Sequence, residues 1–222
     1  MSEEIYNEED IIPFIHPCTV VIAGSTQSGK THFVTNMLLH SSKTFSHSIQ
    51  RLVYCYGTYL KDTFTKLKQI YPNIELINGI DDSLQFNSNI VNCLIIDDLM
   101  SDAVKSAKIS DLFTKGSSHS NLSIILLTQN IFQQGIYGRT ININAHYTIY
   151  FKNPRNTQQI AFLARQMYRE KSTALIEAYD DAVVRPYSYL FIDFKQKTPE
   201  KLRLKTNVLP TDPQPCIVYI PK

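Results

Sequence analysis

The amino-acid sequence predicts an α/β fold in which a mainly parallel central sheet is flanked by helices. Apolar runs of strand length alternate along the chain with segments whose apolar residues recur at helical spacing. Two of the runs, within residues 92–97 and 122–128, contain continuous apolar stretches, as is typical of strands buried on both faces of a parallel sheet. Because helices in such folds connect successive parallel strands, the alternation indicates an α/β domain.

Each element follows from its local pattern. Short runs rich in β-branched, aromatic and other apolar residues indicate strands, and apolar residues three or four positions apart indicate one face of a helix. The predicted strands are residues 18–23, 51–56, 74–77, 92–97, 122–128, 146–151 and 187–194. The predicted helices are residues 31–40, 59–70, 102–115, 156–168 and 171–182, and residues 116–121 are predicted to form a loop.

The charge distribution divides the 222 residues into a central domain and two charged ends. Residues 1–11 form an acidic N-terminal arm, residues 12–194 the folded domain, and residues 195–222 a basic, proline-containing C-terminal tail. We expect both ends to be solvated rather than part of the core. The net charge is only +2 and the pI is near 8.2, which argues against a protein that coats nucleic acid by bulk charge.

The sequence also bears on membranes and secretion. No run approaches the roughly 18–20 apolar residues of a transmembrane helix. The acidic N-terminus lacks the apolar region of a signal peptide. We therefore expect an intracellular, soluble protein with no membrane partner.

The strongest motif, GSTQSGKT, directly follows the first predicted strand and precedes the first predicted helix. It matches the phosphate-binding loop G-x-x-x-x-G-K-[S/T] in full, in the context that the motif requires. The glycines let backbone N–H groups face phosphate oxygens, the lysine reaches the β- and γ-phosphates, and the threonine hydroxyl binds Mg²⁺. The motif predicts ATP and Mg²⁺ as ligands of Gly24, Ser25, Thr26, Gln27, Ser28, Gly29, Lys30 and Thr31.

A second candidate site, which is acidic, is predicted where the strand of residues 92–97 ends. Asp97 and Asp98 follow four apolar residues, and two adjacent acids at the end of a buried strand are costly unless they serve a cation or water. Asp97 is the candidate Mg²⁺ ligand, and Asp98 is the candidate base that activates the attacking water. The alternative is that the pair merely caps the next helix.

Three further polar residues are candidates near these sites. Gln129 directly follows the strand of residues 122–128 and could sense the γ-phosphate, or it could simply lie in a turn. Arg139 lies in a polar segment predicted as a loop between strands, and Arg155 follows the next strand. Either arginine could act across a subunit boundary on the transferred phosphoryl group. An ordinary surface arginine is the alternative for each.

Candidate DNA contacts come from two basic segments. Lys105, Lys108 and Lys115 follow the aspartate pair, although Asp102 and Asp111 interrupt them, so a solvated helix face is an alternative. The second segment, residues 151–171, is more strongly basic. Its candidates are Arg165 and Arg169, which we expect to share a helix face because they are four residues apart.

Together, GSTQSGKT, LIIDDLM, ILLTQN and GRTININAHYTIYFKNPRN resemble the viral genome-packaging ATPases of the FtsK–HerA superfamily. The likeness extends over about residues 12–210 and is closest to the Polinton-like and adintovirus-like group, related to the poxvirus and adenovirus packaging proteins. It implies an additional-strand (ASCE/RecA-like) P-loop NTPase fold, with the catalytic-acid strand between the P-loop strand and its sequence neighbour.

The resemblance also implies function. It implies a pentameric or hexameric ring that translocates double-stranded DNA into a preformed capsid, with capsid or portal-vertex proteins as partners. The implied roles are Walker A for Lys30 and Thr31, metal binding for Asp97, polar sensor for Gln129 and arginine finger for Arg139. One residue departs from the pattern, since Asp98 stands where the superfamily usually has a catalytic glutamate.

Other functional classes remain open from the sequence. They are a cellular-type HerA-like DNA translocase or helicase, a nucleotide kinase, a GTPase-like switch and a degenerate P-loop scaffold. No arginine-rich lid supports a kinase, and no N/T-K-x-D motif supports a GTPase. The interpretation as a genome-packaging ATPase places the protein in a host cell, in the nucleus or the cytoplasm, and is compatible with association with the virion.

Overall fold

A sheet of nine strands runs through residues 13–132, 135–154, 157–168 and 171–220, which the structure, a computed structural model, describes. The strands are β1 (Thr19–Ala23), β2 (Arg51–Tyr56), β3 (Glu75–Asn78), β4 (Asn92–Asp97), β5 (Leu122–Thr128), β6 (Tyr147–Phe151), β7 (Tyr189–Asp193), β8 (Leu204–Thr206) and β9 (Ile217–Tyr219). The α-helices are α1 (Lys30–Leu39), α2 (Ser41–Thr44), α3 (Lys61–Ile70), α4 (Met100–Ala103), α5 (Ala107–Asp111), α6 (Ser117–His119), α7 (Gly138–Ile143), α8 (Gln158–Met167) and α9 (Ser172–Ala182). None of these described helices is both long and apolar enough to cross a lipid bilayer.

The strand order is β3-β2-β4-β5-β1-β6-β7-β8-β9. All pairs from β3 to β6 are parallel, whereas β7, β8 and β9 add antiparallel to the edge formed by β6. The predicted α/β fold with a mainly parallel sheet and flanking helices is therefore confirmed. Strand β4, which ends in Asp97, lies between β1 and β2 as the resemblance implied. Strand β5 lies there as well, directly beside β1.

The register of the parallel strands brings their carboxyl ends to one edge of the sheet. Ala23 at the end of β1 pairs with Thr128 at the end of β5, and Leu126 of β5 pairs with Ile96 of β4. Segments that follow these strands converge at the edge where open α/β sheets usually bind ligands. The phosphate-loop motif, the aspartate pair and Gln129 all begin there.

Helices on both faces explain why the central strands are mainly apolar. Every residue of β1, β4 and β5 is buried. One face packs against α1 and α3 through Met37 and Leu67. The other packs against α5 through Ile109, and against α8 and α9 through Leu163 and Leu175. With apolar partners on both faces, these strands show no polar alternation.

The segment after the aspartate pair is less regular than predicted. In place of one helix over residues 102–115 it forms α4, α5, a π-helical turn (Leu112–Gly116) and α6, which extends into the predicted loop. Ser106 interrupts the helix, because its extended backbone starts α5 anew and its Oγ accepts the N–H of Ile109 at 3.1 Å. The same hydroxyl donates to Asp82 at 2.7 Å, which fixes this N-cap.

The expectation that residues 195–222 are a solvated tail is wrong for a large part of that segment. Leu204 is fully buried on β8, and Val208 and Leu209 are also buried. Strand β8 pairs with β7 and β9, so the chain from β8 onward completes the antiparallel side of the sheet. The acidic arm, residues 1–11, lies outside the described residues. The domain boundaries themselves stay predictions.

A core role for β8 predicts a large loss of stability when its apolar side chain is removed. Leu204 packs in a cluster with Leu190 and Ile192 of β7, so Leu204→Ala should lower the free energy of unfolding by roughly 2–5 kcal/mol. The matched control is Ile217→Ala on β9, because the Ile217 side chain is 40% exposed. Urea unfolding of both variants measures the difference. Equal losses would mean that β8 is not a core strand.

Candidate nucleotide-binding site

The phosphate-loop motif forms a turn from the end of β1 into the start of α1. A Cβ added to Gly24 would lie 2.6 Å from Cβ of Phe151, so the backbone here approaches β6 too closely for any side chain. Gly29, the residue before α1, has a φ of 104°, which favours glycine. Both glycines of the motif are therefore required by the local geometry. The loop they shape lies at the N-terminus of α1, where N–H groups and the helix dipole favour an anion.

The Lys30 side chain folds back over this loop. Its Nζ donates to the carbonyl oxygens of Gly24 at 2.8 Å and Ser25 at 2.9 Å. Partial burial lowers the pKa of Lys30, and the nearby Asp97 and Asp98 carboxylates raise it. The ammonium group is thus held above the loop, beside both carboxylates, where the motif predicts phosphate.

Asp97 lies at the end of β4 with two hydroxyl donors on one oxygen. Its Oδ2 accepts from Thr31 Oγ1 at 2.9 Å and from the Tyr54 hydroxyl at 2.8 Å. Burial raises the pKa of Asp97, and both hydrogen bonds lower it. A carboxylate and a hydroxyl in contact are the hard oxygen ligands that Mg²⁺ takes together with substrate phosphates. The predicted pair of Thr31 and Asp97 is therefore brought together, and its chemistry fits Mg²⁺.

Asp98 turns away from its neighbour into the open part of the site. It has a φ of 59°, an uncommon backbone conformation for a residue other than glycine, and its side chain is exposed. Its Oδ2 accepts from Thr58 Oγ1 at 3.1 Å. Gly57 allows this turn, since a Cβ there would lie 2.5 Å from the Asp98 carbonyl oxygen. Adjacent aspartates thus occupy different environments, one buried beside Thr31 and one facing solvent.

One cavity of about 460 Å³ is lined by Lys30, Thr31, Asp97 and Asp98. Gln129 lines the same cavity from the end of β5. A second cavity, of about 650 Å³, continues from Gln129 to Asn153 after β6. The Asn153 Nδ2 donates to the Gln129 carbonyl at 3.4 Å. The structure therefore brings the phosphate loop, the aspartate pair and Gln129 to one place. Two aspartates, one lysine and polar side chains around a shared cavity can bind a metal–phosphate group and activate water.

Sequence reasoning missed Tyr54 and Thr58. Tyr54 lies in an apolar run on β2 and pairs with Ile95, two residues before Asp97. A tyrosine within an apolar run is only a weak sign of a functional residue. Its hydrogen-bond partner, Asp97, becomes apparent only because β2 lies beside β4 in the sheet. Thr58 is a polar residue two positions after β2, at the same edge as the other candidates.

The candidate arginines lie away from this cavity. Arg139 is exposed on α7, so the prediction that it lies in a loop is wrong. It is not among the residues that line the 460 Å³ cavity of its own chain. Gly138 and Ile141 are buried on the inner side of this helix. Arg155 lies outside the described residues.

The candidate DNA contacts are dispersed. Lys105 and Lys115 are exposed on the irregular segment after Asp98, and Lys108 is half-buried on α5. Arg165 is exposed on α8, where its Nε donates to the Ala161 carbonyl at 3.2 Å. Arg169 lies outside the described residues, so the expected shared helix face with Arg165 stays a prediction.

The Tyr54 hydroxyl predicts a measurable effect on metal affinity. Burial and the adjacent Asp97 hold the pKa of Tyr54 well above its usual value, so the hydroxyl stays protonated and donates. Tyr54→Phe should weaken Mg²⁺ affinity roughly tenfold, because it removes a hydrogen bond that orients the metal-binding carboxylate. Metal titration of the nucleotide-bound protein measures this. The control is Tyr71→Phe, which removes a hydroxyl bonded to Ser41 at 2.7 Å. Equal affinities in the two variants would contradict an orienting role.

The fold and the phosphate loop define a P-loop NTPase fold of the α/β class. No protein-family model matches the chain, and no curated protein matches it. Among solved structures, the chain is similar to the genome packaging NTPase B204 from Sulfolobus turreted icosahedral virus 2. The complex with AMPPCP is 14% identical, with 92% of this chain and 98% of that chain covered and a TM-score of 0.51. The sulfate complex is also 14% identical, with 92% and 97% covered and a TM-score of 0.51. At this identity the likeness concerns the fold.

Proposed function

We propose that the protein hydrolyses ATP with Mg²⁺ and uses the energy to translocate double-stranded DNA, packaging a viral genome into a preformed capsid. The observation that carries the ATPase part is the set of side chains around the 460 Å³ cavity: Lys30, Thr31, Asp97 and Asp98. Each has the chemistry that phosphoryl transfer requires, and each lies at the edge of the sheet that the fold favours for ligands.

Each of these residues has a separate role in hydrolysis. Lys30 binds the β- and γ-phosphates, and Thr31 and Asp97 hold the metal, which when bound neutralises charge on the phosphate oxygens. Asp98 faces the open cavity and accepts a proton from the attacking water, with its carboxylate oriented by Thr58. An aspartate is one methylene shorter than the usual glutamate. The sharp backbone turn at Asp98 supports its role by directing the side chain into the cavity.

The DNA-packaging part of the proposal rests on different support. The motifs resemble the FtsK–HerA packaging ATPases, and the similar B204 structures are described as a genome packaging NTPase. Exposed Lys105 and Lys115 come after β4, the strand that ends in Asp97, and would be present in every subunit of a ring. A net charge of +2 per chain is compatible with such a ring, because one lysine facing the channel becomes five or six charges in the assembly.

An exposed face formed by α7 and the residues just before it supports self-association. The side chains of Ile136 and Ile143 are 81% and 73% exposed, and Arg139 lies between them in the chain. Arg139 and Ile143 are four residues apart on α7 and so share a helix face. Large apolar side chains beside an arginine are typical of protein interfaces. We infer that this face meets the nucleotide site of a neighbouring subunit.

The test is the ATPase rate and the assembly mass of the full chain with and without double-stranded DNA. We expect Mg²⁺-dependent hydrolysis that DNA stimulates, and an assembly of five or six subunits. DNA affinity should fall with salt, since Lys and Arg contacts to phosphate release counterions. Hydrolysis that DNA leaves unchanged, with a salt slope near zero, would reject translocation. Transfer of phosphate to a small acceptor would indicate a nucleotide kinase, and strand separation would indicate a helicase.

A further inference from the structure

A separate cavity of about 450 Å³ lies on the other side of the first turn of α1. Its lining includes Gly29 of the phosphate loop and His32 of α1, together with Arg185 and Tyr187 from the loop before β7 and Asp212 from the C-terminal segment. The 460 Å³ cavity is lined instead by Thr26, Gln27, Lys30 and Thr31 of the motif. The N-terminus of α1 therefore separates two cavities that are both in contact with the phosphate loop.

Tyr187 forms an aromatic wall against the phosphate loop. A Cβ added to Gly29 would lie 3.3 Å from Cδ1 of the Tyr187 ring, so the ring packs directly over this glycine. The Tyr187 side chain is nevertheless 70% exposed, which leaves ring surface open to a ligand. Its φ of 65° is a genuine outlier for a bulky residue. The surrounding loop thus holds an aromatic ring beside the phosphate loop in an unfavourable backbone conformation.

Polar groups also line this cavity, and one of them, Asp212, is held by two hydrogen bonds. Asp212 Oδ2 accepts from the Tyr189 hydroxyl at 2.5 Å and from the Leu209 N–H at 2.8 Å. Burial raises the pKa of Asp212, while its two hydrogen bonds and the charge of Arg185, which is exposed at the same cavity, oppose that rise. A cavity with an aromatic wall and a few fixed polar groups has the composition of a small-molecule site.

We propose that this cavity binds the nucleobase of the nucleotide whose phosphates occupy the adjacent loop, with the base stacked against the Tyr187 ring. The inference rests on the proposed ATP binding and extends it by assigning a base subsite. Three observations carry it: the cavity adjoins the phosphate loop at Gly29, its volume exceeds that of a purine, and its exposed aromatic ring offers a stacking surface. Every base has a face that can stack on an aromatic side chain.

The experiment compares a ligand that has a base with one that lacks it. Affinities for Mg-ATP and for inorganic triphosphate with Mg²⁺ are measured by calorimetry on the full chain. Tyr187→Ala should weaken ATP binding about tenfold or more and leave triphosphate binding within about twofold of the wild type. Tyr187→Phe keeps the ring and should retain wild-type affinity for both ligands. Unchanged triphosphate binding also reports that each variant has folded its phosphate loop.

The outcomes separate this inference from the proposed function. If Tyr187→Ala leaves ATP affinity unchanged, or weakens both ligands equally, the base subsite is wrong. Wild-type protein that binds ATP no more tightly than triphosphate would also reject it. Lys30→Ala should weaken both ligands, because the lysine binds phosphate. If Lys30→Ala weakens neither ligand, the phosphate assignment fails, whatever the result at Tyr187.

Discussion

Asp97→Asn is expected to lower the rate of ATP hydrolysis by at least about 100-fold while leaving nucleotide binding largely intact. The asparagine keeps the shape of the side chain and can still accept from Thr31 and Tyr54, whose hydroxyls both bond one carboxylate oxygen. It loses the negative charge that the proposed metal site requires. Lys30→Ala should remove both binding and turnover, because its ammonium group lies directly over the phosphate loop. Steady-state ATPase rates and equilibrium nucleotide binding measure the two effects separately.

The matched control is Asp102→Asn on α4, an exposed aspartate close in sequence to the aspartate pair. It removes the same charge from the protein without removing a group that lines the cavity. We expect near wild-type turnover from it. An Asp97→Asn variant that hydrolyses ATP as fast as Asp102→Asn would show that the metal site is misassigned. Loss of ATP binding in Asp97→Asn would instead point to a structural role for this carboxylate.

The central part of the fold and site was predictable because its signals are local. Continuous apolar residues mark β4 and β5, since both faces of each strand are covered. The motif of residues 24–31 combines two glycines whose geometry tolerates no side chain with a lysine and a threonine at fixed spacing. The residue types and their spacing are visible within eight consecutive positions, even though the contact that excludes a side chain at Gly24 comes from Phe151 on β6. For that reason the phosphate loop and Asp97 appear where the sequence predicted them.

The features that the sequence did not reveal depend on contacts distant along the chain. Tyr54 acquires its role from Asp97 on a neighbouring strand, 43 positions away. Ser106 breaks a helix whose apolar pattern continues through it, because its hydroxyl bonds Ile109 and Asp82 instead. The three-residue strands β8 and β9 lie among prolines and basic residues, and only their pairing reveals them, β8 with β7 and β9 with β8.

Helix α7 exposes Arg139 on its outer side and is also connected to the candidate nucleotide site of its own chain. The N–H of Tyr137 donates to the Val104 carbonyl at 3.0 Å, and Val104 lines the 460 Å³ cavity. The Asn142 side chain donates to the carbonyl of Ile131, which follows the polar end of β5. Hydrogen bonds thus tie both ends of α7 to segments around the nucleotide site.

Arg139→Ala should lower the ATPase rate by about 1,000-fold if the arginine stabilises the transferred phosphoryl group, since arginine fingers contribute at least that much. Because Arg139 does not line the cavity of its own chain, the loss should arise at the site of a neighbour. Lys66→Ala, which removes an exposed charge from α3, is the control and should keep its activity. Activity of the wild type should also fall on dilution, as the assembly dissociates.

The decisive measurement mixes two inactive variants, Arg139→Ala and Lys30→Ala. A Lys30→Ala subunit still offers Arg139, and an Arg139→Ala subunit still has a complete phosphate loop, so a mixed ring contains some interfaces in which every group is present. We expect ATPase activity to reappear on mixing, in proportion to the fraction of such interfaces. An arginine that acts within its own chain could not be supplied in this way, and the mixture would stay inactive. A wild-type monomer that remains fully active at high dilution would also exclude action across subunits.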